Sequence, residues 1–394
     1  MEKSAMRHHP DAHDPTSDWR QQGTEQLPDG PATLVSFPGT ATLGAAHAAL
    51  FGAVRRIQAA EVFVSGPGAA PTAVWVARSG ARVVTWHEHI AEHLSVTHSL
   101  AANGCRDHQA HLHWDFTDLV PRAVDLALVH LPRGRERQRE ALRLGVAVLR
   151  PGGKLIFVGA TREGVRAALH DATELCGSAG IVNRKGGYHA GLGYAPQASL
   201  PLPTVDLGEH EIELDGLPTL VRSYSGVFAH DRLDAGAAAL IDAMQIGAGT
   251  EVLDLGCGTG LISLAAQRRG AAMTATDVSA RAVISTQETL AANRPALGQP
   301  SGEPQIHLCI GAAAVRSSSV DTVITNPPFH RGHSIALDVA QLFVQEAARV
   351  LKPGGRLFLV ANSFLNYRPW LEQQLAAVEV ISETPTFRVW TAQR

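Results

Sequence analysis

Glu251-Val-Leu-Asp-Leu-Gly-Cys-Gly-Thr-Gly260 is a buried-type strand running into a glycine-rich turn, and Leu261-Ile-Ser-Leu-Ala-Ala-Gln-Arg-Arg269 follows with helical character. Glycines at 256, 258 and 260 let a ligand approach the backbone closely at the start of a helix. A second strand-like run, Ala272-Met-Thr-Ala-Thr276, ends at Asp277, which lies 21 positions past Gly256. That spacing suits a carboxylate gripping ribose hydroxyls. Strand, turn, helix, strand and acid in this order predict an α/β fold with a parallel, doubly wound sheet that holds a nucleoside cofactor. The glycine pattern alone does not separate such a fold from a dinucleotide-binding one.

The separation comes from Asn326-Pro327-Pro328-Phe329, placed after the apolar run Val320-Asp-Thr-Val-Ile-Thr325. Two prolines fix the backbone and cannot donate hydrogen bonds, so the turn offers acceptors only, the Pro327 carbonyl and the Asn326 side-chain oxygen. A planar amino group has two hydrogens to give them. Accepting both orients the nitrogen and stabilises positive charge as it develops, while Phe329 offers a face on which a flat base stacks. In isolation Asn-Pro-Pro reads as a rigid end to a buried strand. Downstream of the glycine turn and Asp277 it reads as the site of an N-methyltransferase.

With these motifs in hand the chain resembles the class I S-adenosylmethionine methyltransferases, and within them the bacterial ribosomal RNA guanine-N2 methyltransferases of the small subunit. Gly226-Val-Phe-Ala-His-Asp-Arg-Leu-Asp-Ala-Gly236, Asn326-Pro-Pro-Phe-His-Arg-Gly332, Leu337-Asp-Val-Ala340, Val360-Ala-Asn-Ser-Phe364 and Thr386-Phe-Arg-Val-Trp390 carry the resemblance, which spans roughly residues 206 to 394. It implies two tandem Rossmann-like methyltransferase domains, the first degenerate. It also implies Gly256 and Gly258 along the methionine part of the cofactor, Asp277 on its ribose and Asn326 to Phe329 at the target base. Asp254, Cys257, Gly260 and Val278 complete the expected cofactor set, and His330 is a candidate for touching substrate. One departure stands out, because Cys309-Ile-Gly-Ala-Ala313 lacks the polar side chain that relatives place near the adenine.

The first half is explained by an internal repeat. Setting residue n against n + 190 aligns Glu61-Val-Phe-Val-Ser-Gly-Pro-Gly-Ala-Ala70 with Glu251 to Gly260, and Leu100-Ala-Ala-Asn103 with Leu290-Ala-Ala-Asn293. Val124-Asp125 then matches Val320-Asp321, and Leu149-Arg-Pro-Gly-Gly153 matches Leu351-Lys-Pro-Gly-Gly355, at offsets that loop insertions enlarge. In this copy Val64 replaces Asp254, Ala70 replaces Gly260, His87 stands in for Asp277 and His130-Leu131-Pro132 for Asn326-Pro327-Pro328. It is expected neither to bind cofactor nor to transfer methyl.

Composition bounds the rest. At 394 residues, 45% hydrophobic and 18% charged, the chain has material for two ordinary α/β cores, and no apolar run reaches the length of a membrane span. The expected domains are a disordered tail over 1–30, a degenerate domain over 31–195, a linker over 196–205 and a catalytic domain over 206–394. Val205 to Val221 reads as a hairpin turning at Asp215-Gly216. Four cysteines show no metal spacing, and with a polar tail in place of a signal peptide they point to a reduced, cytoplasmic protein without a metal. His89 and His93 stand four apart without spelling a zinc motif, and are read as part of a solvated helix face.

The near-neutral total hides a split. Residues 31–200 hold 17 Lys and Arg against 12 Asp and Glu, a net +5, whereas residues 201–394 hold 14 against 19, a net −5. Arg133, Arg135, Arg137, Arg139 and Arg143 cluster just after the decayed loop and are candidates for contacting RNA phosphates. A solvated helix face laced with Glu136 and Glu140, in a domain that merely supports its neighbour, is the plainer alternative. The predicted reaction is transfer of methyl to the exocyclic N2 of a guanine in small-subunit ribosomal RNA. The nucleotide must be unpaired or everted, which points to naked or partly assembled RNA. A large-subunit guanine, adenine N6, a protein glutamine amide or a non-catalytic RNA-binding assembly protein are the competing readings.

Overall fold

The computed structural model describes residues 19–54, 58–294, 302–328 and 333–394, without the side chains of 333–337. The chain divides into two compact units, one of Arg20–Val205 and one of Asp206–Arg394 together with Trp19.

The first unit opens with an antiparallel ribbon of β1 (Gln21–Leu27) and β2 (Gly30–Ser36). Strands β3 (Glu61–Ser65), β4 (Arg82–His87), β5 (His108–Leu112), β6 (Val124–His130), β7 (Leu149–Ala160), β8 (Ala179–Lys185) and β9 (Tyr188–Tyr194) form a sheet in the order β5-β4-β3-β6-β7-β9-β8. Helices Ala69–Arg78, Ile90–Ala102 and Arg135–Val148 make the crossovers between its parallel strands.

The second unit repeats this plan. A ribbon of β10 (Leu207–Leu214) and β11 (Leu217–Tyr224) turns at Asp215 and Gly216, both at positive φ (54° and 71°), the geometry that Asp-Gly supplies in a two-residue hairpin. Strands β12 (Glu251–Leu255), β13 (Ala272–Asp277), β14 (Gln305–Leu308), β15 (Val320–Thr325), β16 (Leu351–Asn362), β17 (Ala376–Glu383) and β18 (Phe387–Gln393) are ordered β14-β13-β12-β15-β16-β18-β17. Five are parallel, and β18 runs antiparallel to β16 and β17. Strand order reverses between β12 and β15, so the carboxyl ends of these neighbours border the crevice in which such sheets hold ligands. Val252, Leu253, Val323 and Ile324 in the two strands are fully buried, as a parallel sheet covered by helices on both faces requires.

The duplication reaches individual side chains. Asn293 accepts from the Leu220 amide and donates to the Leu220 carbonyl (3.2 and 2.8 Å), fastening the ribbon to helix Ala280–Ala292. Asn103 does the same for Thr33 (3.1 and 2.6 Å). Asp321 accepts from the Glu251 amide and, with the Glu251 side chain, binds Lys352, while Asp125, Glu61 and Arg150 form the equivalent triad.

Two expectations need correction. A disordered tail to residue 30 is not what the chain forms, since Gln21–Leu27 pairs with Gly30–Ser36 across Pro28-Asp29, as Leu207–Leu214 pairs with Leu217–Tyr224 across Asp215-Gly216. Residues 1–18 lie outside the described residues. Nor is the His89 and His93 segment a solvated face. His93 is half-buried with its ring 5.9 Å from that of His87, and burial lowers its pKa.

Candidate active site

The glycine turn leaves β12 and hangs on β13, with Gly256 and Cys257 both donating their amides to the Thr276 carbonyl (2.8 and 3.0 Å). One residue further, Asp277 accepts from the amides of Gly258 (3.1 Å) and Ser279 (2.9 Å), which seats its carboxylate between the turn and the next helix. Gly258 sits at φ +55° and a Cβ there would meet nothing within 4 Å, so its upper side is open. Gly260 is needed for the opposite reason. A Cβ on it would stand 2.9 Å from Thr286 Cα, where helices Leu261–Arg268 and Ala280–Ala292 meet. An open backbone cradle with a carboxylate at its rim fits a nucleoside cofactor.

Two members of the expected cofactor set sit beneath the turn. Asp254 is fully buried and accepts from Ser263 Oγ at 2.6 Å, its Oδ1 has no partner, and burial pushes its pKa up to about 7. Cys257 is buried with its thiol beside Thr286 Oγ1 (3.2 Å), and burial raises its pKa well above the ordinary value, so it is a packing residue and not a reactive thiol. Val278 is half-buried next to Asp277. Beyond it, Cys309 and Ile310 make an apolar floor after β14, and the Ala312 amide donates to Glu346 (3.1 Å). Sequence reasoning missed Trp19, whose Cη2 lies 3.5 Å from where a Cβ on Gly311 would stand. No local pattern ties residue 19 to residue 311.

On the other side of the switch point Thr325 donates its hydroxyl to the Leu255 carbonyl at 2.7 Å, locking the ends of β15 and β12 together. Asn326 follows at once. Its Nδ2 donates to Asp234 Oδ2 at 3.3 Å, and its Oδ1 is buried without a hydrogen-bond partner among the described residues. Pro327 is buried and Pro328 exposed. Phe329 and His330 lie outside the described residues.

The corresponding place in the first unit is filled from within. The Gly68 amide, equivalent to that of Gly258, donates to the buried carboxylate of Glu92 (3.2 Å), and His47 Nε2 lies 2.7 Å from the Gly68 carbonyl. A Cβ on Gly66 would fall 1.8 Å from the His130 carbonyl oxygen, so turn and strand end pack backbone to backbone. His87, at the position of Asp277, is buried, and desolvation followed by the neighbouring histidines pushes its pKa down to about 3.

The arginine cluster is largely neutralised. Arg133 pairs with Glu163 (2.9 Å) and Arg135 with Asp171. Arg137 is mostly buried against Glu88 and Glu140, which corrects its reading as a phosphate contact, because its charge is spent inside the unit.

The methyltransferase small domain model matches residues 219–391. The ribosomal RNA small subunit methyltransferase C of Alcanivorax borkumensis is 35% identical over 288 residues, which is 71% of this chain and 83% of that protein. The protein of the same name from Salmonella choleraesuis is 35% identical over 69% of this chain and 78% of its own length. Among solved structures, the T. thermophilus 16S rRNA N2 G1207 methyltransferase in complex with AdoMet and guanosine superposes with a TM-score of 0.81, at 28% identity, over 95% of this chain and 98% of its own. With a relative of that identity covered over most of its length, this chain belongs to the ribosomal RNA small subunit methyltransferase C family.

Proposed function

We propose that the protein methylates the exocyclic N2 of a guanine in small-subunit ribosomal RNA, using S-adenosylmethionine. The observation that carries the assignment is Asn326 Oδ1, a buried acceptor without a partner at the carboxyl end of β15. A buried acceptor left unmade costs about 1–3 kcal/mol, so it favours any ligand that brings a hydrogen to it. The N2 amino group brings two.

S-adenosylmethionine supplies an electrophilic methyl on a sulfonium. The residues of this chain hold and orient. Asp277 accepts from ribose hydroxyls, Gly256 and Gly258 let the methionine part lie against the backbone, and Val278 and Ile310 give the adenine an apolar seat. Asp254 Oδ1, without a partner among the described residues, leaves one buried acceptor beneath the glycine turn. Asn326 Oδ1 and the Pro327 carbonyl take the two N2 hydrogens, which aims the nitrogen lone pair and stabilises the charge that appears as the new bond forms. Phe329 stacks on the guanine and His330 flanks it. No base is required, because the methylated nitrogen loses its proton readily to water.

Since N2 must be reached outside a stack, the substrate is an unpaired or everted nucleotide of naked or partly assembled small-subunit RNA, and the reaction belongs to the cytoplasm. Among the described residues no helix is long and apolar enough to cross a membrane. Arg133 and Arg135, half exposed at the start of their helix, contact RNA phosphates in this reading.

The test is transfer of labelled methyl to small-subunit and large-subunit ribosomal RNA from cells lacking the protein. Label is expected as N2-methylguanosine in the small-subunit RNA. Asn326→Ala should lower the rate by about 10²–10³-fold with cofactor binding retained, as loss of one preorganised group at a reacting centre does. Label confined to large-subunit RNA, or an unaffected variant, would overturn the assignment.

A further inference from the structure

We infer that Asp234 is a positioning residue for methyl transfer, which sets the orientation of the Asn326 amide so that its oxygen faces the substrate amino group. The inference rests on the proposed role of Asn326 as acceptor. An asparagine amide has an oxygen and an NH2 of nearly equal shape, and only one of its two orientations accepts from a substrate NH2. Presented the other way it sets donor against donor. A carboxylate has no hydrogen to give, so the amide group facing Asp234 has to be the NH2, and the oxygen is turned outward.

Asp234 is itself held rigidly. It is the N-cap of helix Ala235–Ala243, and the same Oδ2 that receives Asn326 Nδ2 (3.3 Å) accepts from the amides of Gly236 (2.9 Å) and Ala237 (3.2 Å). Gly236 leaves room for the carboxylate, since a Cβ at that position would lie 2.9 Å from Oδ2.

The degenerate copy supplies an independent argument. The residue equivalent to Asp234 is Gly44, which has no side chain to cap helix Ala45–Ala53 and instead donates its amide to His47 Nδ1 (3.2 Å), and the residue equivalent to Asn326 is His130. That helix forms with its buried face intact, so the fold does not demand a carboxylate at this cap. Where the asparagine has gone, the aspartate has gone with it.

Variants Asp234→Ser, Asp234→Gly and Asp234→Asn separate positioning from capping. Serine caps a helix but is too short to reach Asn326, glycine reproduces the degenerate copy, and asparagine caps while its oxygen still receives the Asn326 NH2. Single-turnover methyl transfer to small-subunit ribosomal RNA, cofactor Kd and the thermal unfolding midpoint are measured for each. The expected result is a fall in rate of about 10–100-fold for Ser and Gly, rescue by Asn, an unchanged cofactor Kd, and a midpoint for Ser close to the parent. Combined with Asn326→Ala, the serine change should cost nothing further, because two residues acting through one amide are not additive. A serine variant with parental rate, or a rate loss matched by weaker cofactor binding, would overturn the inference. Failure of the underlying reading is distinguishable, for then Asn326→Ala itself would transfer methyl normally.

Discussion

Asp254 and Asp277 stand at the ends of neighbouring strands and do opposite work. Asp277, half-buried, accepts from two amides at the cleft, whereas Asp254 is sealed beneath the turn with a hydroxyl donor on one oxygen and, among the described residues, no partner on the other. Burial raises the Asp254 pKa from its usual value to about 7. The folded protein therefore holds this proton more tightly than the unfolded chain, which favours folding at low pH, and the advantage disappears as pH climbs towards 7 and above. Asp254→Asn should thus gain in unfolding midpoint over the parent as pH is raised from 5 to 8. Thermal melts of both proteins across that range check it, and a pH-independent difference would show that Asp254 titrates normally. The motif marks the acid as important, but nothing in it distinguishes a carboxylate at the surface of the turn from one under it. That depends on Ser263 and on the helix packed over it.

Helix Arg135–Val148 shows how an element can be legible while its role is not. Its helical character and its arginines are read from sequence, but the carboxylates that answer them come from far along the chain, Glu88 before the previous helix and Asp171 in the following one. Arg137→Ala should take the guanidinium away from the buried Glu88 and cost about 3–5 kcal/mol, read as a lower unfolding midpoint with little change in RNA affinity. Weaker RNA binding at unchanged stability would return this arginine to a docking role. The opening ribbon was illegible for another reason. Gln21 to Gln26 face solvent, so β1 has no apolar alternation to betray a strand, and composition alone suggests a tail. Pro28-Asp29-Gly30 was the usable turn signal, once the second ribbon and its Asp215-Gly216 turn are recognised. The glycine turn, Asp277 and the Asn326 turn were readable because each is a contiguous pattern with one physical meaning. The Asn326–Asp234 contact was not, since it joins residues 92 positions apart.

Across the whole molecule, the two copies share several side chains that fasten the scaffold and differ at the polar side chains that would hold a ligand. Asn103 matches Asn293 and the Asp125 triad matches that of Asp321, while His87, His130 and Gly44 replace Asp277, Asn326 and Asp234. One S-adenosylmethionine per chain is accordingly expected by titration calorimetry, with affinity reduced by about 10–100-fold in Asp277→Ala, the worth of a hydrogen bond to a charged group. A second site that survives this change would mean the first copy still binds. The contact between the Gly66 turn and the His130 carbonyl carries a consequence for the protein's history. Restoring aspartate at 87 and asparagine at 130 would leave the Gly66 turn packed on the His130 carbonyl and the Gly68 amide bound to Glu92, so the cradle would stay filled. A return of ligand binding to that half therefore requires the turn, the strand end and Glu92 to change together, and exchanges at 87 and 130 alone do not reach it.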